Sequence, residues 1–165
     1  MAGLVIPVTH TAANGLPLGA ETNVKNRKML LFDTGIFQRL LGLNAADVLL
    51  NEGFDAINKG YIAEQYTGLE LLKSFSCYRQ ESLYFWHREA KSSNAEVDYI
   101  VQKGQQVIPV EVKSGKSGSM QSLRLFMQEK KPPFGVRFSL ENYSEYENIK
   151  VIPLYAIGDF INGEG

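Results

Sequence analysis

The sequence predicts an α/β fold with a mixed central sheet flanked by helices. Three observations carry that expectation. A helix-period run over residues 58–74 is followed by three short β-rich runs at 82–88, 96–102 and 106–113. A second helix-period run follows at 120–131, and two further apolar runs lie at 134–140 and 150–155. A three-strand meander followed by a helical crossover closes a mixed sheet with helices on its faces.

The elements follow in order. Residues 1–27 are rich in Gly, Asn and Thr and read as an irregular arm. Met29–Phe32 is a short apolar strand. Asp33 and Thr34 offer an N-cap to a helix carrying Ile36, Phe37, Leu40 and Leu41, which Gly42 stops. A second short helix is expected over 45–51. Asn58 caps the longer helix, whose stripe holds Ile57, Tyr61, Gly68, Leu71 and Leu72. Lys103-Gly104-Gln105 turns the hairpin between the second and third strands of the meander. Leu123, Phe126 and Met127 mark one face of the helix that Pro132-Pro133 end.

At 165 residues the chain suits one compact domain, with 1–57 packed on a core over 58–165. Hydrophobic residues at 44% and charged residues at 21% exclude a disordered chain. No apolar run reaches the ~18 residues a membrane span needs. Met1–His10 lacks the basic region and cleavage site of a signal peptide. The lone Cys77 suits a reducing compartment, so a cytoplasmic location is expected. The net charge of −1 lacks the basic balance usual for nucleic-acid binding. Lys113, Lys116, Arg124, Lys130 and Lys131 cluster in one third of the chain, but such a run reads first as a solvated helix face.

The carboxylates carry the chemistry. A two-residue type II′ loop at Gly104 pairs Lys103 with Gln106. Counting outward sets Asp98 opposite Glu111 and Glu96 opposite Lys113, all on one side of the sheet. Opposed Cβ atoms lie about 5 Å apart, so the two acids repel and need a proton, a lysine or a divalent cation. Oxygen ligands of this kind suit Mg²⁺ or Mn²⁺. Glu64 interrupts an apolar helical stripe, and Gly68 one turn on allows the helix close to the sheet. Glu64, Asp98 and Glu111 are therefore the expected metal ligands, and Lys113 the group beside the attacked phosphate.

Asp98 followed by Glu111-Val112-Lys113 resembles the PD-(D/E)XK nuclease superfamily. The helix bearing Glu64 and the expected element order are similar to its αβββαβ, restriction-endonuclease-like core. Val97 stands where that motif has proline, and Pro109 interrupts an expected inner strand. Ala2–Val8, His10–Gly19, Leu31-Phe-Asp-Thr-Gly, Glu96-Val-Asp-Tyr-Ile and Ile108-Pro-Val-Glu-Val-Lys-Ser-Gly resemble the C-terminal DUF4143 region of bacterial and archaeal AAA-type ATPases. The resemblance implies an ATPase domain in cis ahead of this region, so the chain reads as a fragment or truncated product.

Other motifs carry less. Val110–Ser117 ends like a phosphate-binding loop, but lacks its first glycine and places Glu111 where amides should cradle phosphate, so no nucleotide site is expected. Asp33-Thr34-Gly35 mimics an aspartic-protease triplet, yet Asp33 reads as a helix cap. His10 and His87 lack partners at zinc-ligand spacing. Tyr84-Phe85-Trp86 reads as core rather than as a base-stacking platform. The acids also have a plain alternative, a salt-bridge network with Lys113, Arg88 and Lys91. Two functions remain: a metal-dependent DNA nuclease domain, or a catalytically silent module that binds nucleic acid or protein for the ATPase.

Overall fold

The computed structural model describes residues 3–43, 56–78, 81–88, 94–115 and 118–163. Eight strands form one sheet: β1 (Val5–Thr11), β2 (Thr22–Leu31), β3 (Leu83–His87), β4 (Glu96–Lys103), β5 (Gln106–Val112), β6 (Gly135–Ser139), β7 (Ser144–Tyr146) and β8 (Ile149–Pro153). Their spatial order is β2-β1-β3-β4-β5-β6-β8-β7. The described helices are α1 (Thr34–Leu40), α2 (Ala56–Ser74), α3 (Gln121–Lys130) and α4 (Ile157–Asn162). The mixed α/β expectation holds, and the order α2–β3–β4–β5–α3–β6 is the expected one. No described helix is long and apolar enough to cross a membrane.

The stretch expected to be an irregular arm is instead the sheet's far edge. β1 pairs antiparallel with β2 and parallel with β3, through Val8–His10 against Leu83–Phe85. Propensity gave little sign of this, because the partner of β1 lies far along the chain and the start of β1 is largely exposed. The helix expected over 45–51 lies outside the described residues. β7 and α4 were not anticipated from the sequence.

Local signals held where chemistry is specific. The Asp33 carboxylate accepts the Ile36 N–H at 2.8 Å, so Asp33 is a cap and not a catalytic triplet. Gly42, at φ +77°, ends α1 with Gly42 N–H to Arg39 O and Leu43 N–H to Gln38 O, a Schellman closure. Gly104 takes φ +59° at the hairpin, and the register Lys103↔Gln106 through Tyr99↔Val110 is the one expected. Pro109 is tolerated because β5 pairs with β6 only from Val110 onward, so no β6 partner is denied a donor.

Two apolar clusters hold the layers. Val8, Leu30, Phe85, Tyr99, Val101, Ile108 and Val110 pack with Ala63 and Leu71 of α2. Trp86, Val97 and Ile100 pack with Phe126 of α3, the Trp86 and Phe126 rings meeting edge to face at 5.1 Å. The aromatic run is therefore core. Gln65 of α2 is buried and uses its side-chain amide like an extra strand, accepting the Leu31 N–H and donating to the Leu31 carbonyl. Gly68 lets α2 close on the sheet: a Cβ there would collide with Leu30 Cδ1 and stand 2.5 Å from the Tyr99 hydroxyl.

Gly68→Ala is therefore expected to cost about 1–3 kcal/mol through overpacking. Urea denaturation checks it. A midpoint equal to that of the wild type would show that α2 has room to withdraw.

Candidate metal and phosphodiester site

The site begins with a defect in β4. Between Tyr84↔Ile100 and Trp86↔Val97, β3 advances by two residues and β4 by three. The extra residue falls at Asp98–Tyr99, a bulge that re-aims side chains. On the other edge of β4, pairing with β5 ends at Tyr99↔Val110. Asp98 continues where the ladder stops: its Oδ2 accepts the Val112 N–H at 2.8 Å, in place of a strand carbonyl. α2 is docked above by the Tyr99 hydroxyl, which donates to the Glu64 carbonyl at 2.8 Å.

The expected residues do meet, but as two groups joined by Asp98. In one, Lys28 Nζ lies 2.7 Å from Glu64 Oε1 and 2.6 Å from Glu96 Oε1. In the other, Lys113 Nζ lies 2.7 Å from Glu111 Oε1. Asp98 Oδ1 is 3.9 Å from Lys28, near enough for attraction and too far for a hydrogen bond. Alternation along β5 turns Glu111 away from Val110 and Val112, both in the α2-side core, and sets it on the side of Lys113.

Lys28 is the residue that sequence reasoning missed. It precedes the strand expected at 29–32, while β2 in fact starts at Thr22. Lys28 stands two residues before buried Leu30, and period-two alternation in a longer strand would have pointed it inward. The alternative salt-bridge partners fare differently. Arg88 pairs with Glu129 at 2.7 Å, and Lys91 lies outside the described residues. Of the basic cluster, Arg124 faces Glu147 and Lys130 reaches Asn14, while Lys116 lies outside the described residues. His87 accepts from Asn26, and its carbonyl bonds His10 Nε2, which fits a packed pair more than a ligand set.

Electrostatics follow from burial and crowding. Burial first, then the charges of Glu111 and Glu64, push Asp98 up to about 8, against Lys28 and the Val112 N–H. Burial likewise raises Glu111, although Lys113 pulls the other way. Burial pulls Lys28 down, but Glu64, Asp98 and Glu96 outweigh it and hold its proton above the usual lysine range. The Glu111 side chain is only 7% exposed, and its Oε2 has no hydrogen-bond partner among the described residues.

The donor chemistry fits a hard divalent cation at Asp98 and Glu111, where an unpartnered buried carboxylate oxygen faces a second acid. The threefold set with Glu64 is not assembled. No group of three or more Asp, Glu, His or Cys among the described residues is arranged to hold a metal ion, and Glu64 pairs with Lys28 instead. Lys113 is braced from both ends. Its N–H bonds the Phe138 carbonyl of β6, and its stem lies against Gly118, where a Cβ would come within 2.9 Å of Lys113 Cδ. With φ +151°, Gly118 also holds a backbone conformation that favours glycine.

Asp98 sets a pH dependence. Its folded value lies above the ordinary 3.8, so the folded chain binds this proton more tightly than the unfolded chain. The stabilisation is complete below 3.8 and is lost as pH rises through about 8. Asp98→Asn cannot lose that proton. Its stability is expected to fall less steeply over this window, measured as urea midpoints against pH. Parallel wild-type and variant profiles would contradict the assignment.

Comparison with curated proteins and with solved structures yields no match. Residues 59–157, more than half of the chain, match the family described as "Domain of unknown function (DUF4143)". That span contains Glu64, Asp98, Glu111 and Lys113 and leaves out Lys28. On this match the chain belongs to the DUF4143 family.

Proposed function

We propose that the chain is a Mg²⁺- or Mn²⁺-dependent phosphodiesterase domain of the PD-(D/E)XK kind, acting on DNA and working as the C-terminal part of an AAA-type ATPase. One observation carries the reading: the buried, half-unpartnered Glu111 carboxylate meets Asp98 and Lys113 where a bulged strand and a helix converge. The order α2–β3–β4–β5–α3–β6 supports it, as does the run Asp98…Glu111-Val112-Lys113.

Asp98 and Glu111 would hold the cation, which when bound would acidify a water and neutralise phosphate charge. The rest belongs to the chain. The Val112 N–H fixes one oxygen of Asp98 and leaves the other for a ligand. Glu111 orients the Lys113 ammonium, and Gly118 packs its stem, so one donor is preorganised beside the acids. Phe85 beneath Lys28 and Tyr99 beneath Glu64 limit water on the core side.

A second reading has its own support. Lys28 already neutralises Glu64 and Glu96, and the net charge of −1 offers no basic groove for a nucleic acid. In that reading the domain is a silent module that binds nucleic acid or protein for its ATPase.

The test is Mn²⁺-dependent cleavage of single- and double-stranded DNA. Glu111→Ala and Lys113→Ala are each expected to lower the rate at least about 100-fold, the scale for losing one transition-state contact. Cleavage that survives both would point to a contaminant and sink the nuclease reading. Binding of DNA without cleavage, unchanged in both variants, would favour the silent module. Mn²⁺ affinity by calorimetry is expected to rise with pH through about 8, because the cation must displace the Asp98 proton. Asp98→Ala should abolish the binding.

A further inference from the structure

The position of Lys28 carries one step more, resting on the metal site proposed above. Its ammonium spends two contacts on Glu64 and Glu96, at 2.7 and 2.6 Å, and stands 3.9 Å from Asp98 over the Phe85 ring. The Lys28 charge is thus drawn toward Glu64 and Glu96, while Lys113 serves one oxygen of Glu111. On the other side Glu111 Oε2 has no hydrogen-bond partner among the described residues. An ammonium and a divalent cation compete for the same carboxylate oxygens, but the lysine is delivered on a strand and cannot diffuse away.

We infer that Lys28 is a tethered competitor for the divalent cation: it occupies Glu64 in the metal-free chain and moves wholly onto Glu96 when the cation recruits Glu64. Glu96 is suited to keep the displaced ammonium. Its side chain is 44% exposed, whereas that of Glu64 is 22%, so it can follow Lys28 outward at small desolvation cost. The same displacement would bring Glu64 to Asp98 and Glu111 as a third ligand. It also gives β2, at the sheet's edge, a direct hold on a site otherwise built by the family-matched segment.

The experiment uses the whole chain and Mn²⁺ alone. Calorimetric titration of wild type, Lys28→Gln and Lys28→Arg is paired with acylation of lysine amines, followed by mass spectrometry with and without Mn²⁺. Lys28→Gln is expected to bind Mn²⁺ at least about tenfold more tightly, since one competing charge is gone. Lys28→Arg keeps the charge and should bind no more tightly than the wild type. In the wild type, Mn²⁺ should raise the acylation of Lys28, which needs no variant to fold. Equal Mn²⁺ affinities of wild type and Lys28→Gln, or a Lys28 acylation rate indifferent to Mn²⁺, would overturn the inference and leave the metal site standing. Absence of Mn²⁺ binding in all three proteins would overturn the inference and the metal site together.

Discussion

Uncompensated negative charge is the constraint around which this end of the molecule is built. Glu64, Glu96, Asp98 and Glu111 converge from a helix and two strands, and two lysines answer them. Two like charges at about 4 Å repel by up to about 4 kcal/mol at the effective dielectric of a protein surface. Several features hold the group in place: the missing Cβ of Gly68, the bulge at Asp98–Tyr99, the Tyr99 hydroxyl on the Glu64 carbonyl, and the stem of Lys113 against Gly118. Each forces proximity at some cost, and the lysines offset the electrostatic part.

The two lysines do different work. Lys113 stands two residues from its acid, just past the end of β5, so its contact with Glu111 is local. Lys28 comes from β2, which has a strand neighbour on one side only. Its hold on Glu64 depends on the β1–β2 pairing and on the Gln65 amide that binds Leu31. Edge strands loosen at lower free energy than central ones. The compensation of Glu64 and Glu96 is thus the less permanent of the two, and that of Glu111 the more incomplete, with one oxygen lacking a hydrogen-bond partner among the described residues.

The sequence made some of this legible for physical reasons that can be named. Gly104 between β-rich runs allows few turns, and the turn fixes the register out to Tyr99↔Val110. Asp33, Gly42 and Pro132-Pro133 work through backbone geometry and act wherever they occur. Gly68 beside an acid on an apolar stripe signalled close approach, and a Cβ at Gly68 would indeed meet Leu30 and Tyr99. What stayed hidden is non-local. β1 finds its partner β3 across more than seventy residues, and nothing in Val5–Thr11 names that partner. The bulge at Asp98 belongs to the pairing with β3 and leaves no mark in β4 or β5 alone. Lys28 was lost with β2, since a lysine shows its partner only once its strand is placed.

The bulge also explains why a correct register gave an incomplete site. Register arithmetic puts Asp98 opposite Glu111, and the ladder obeys it as far as it runs. Beyond Tyr99 the strands cease to pair, and Asp98 turns its carboxylate onto the Val112 N–H. The acid fills the place of a backbone acceptor and so becomes the hinge between the Lys28 group and the Lys113 group. A residue so placed feels Glu111, Glu64 and Lys28 at once, which is why its proton is held to about 8. In this chain, proton and lysine are two answers to one crowding, a cation would be a third, and Asp98 is the group at which they compete.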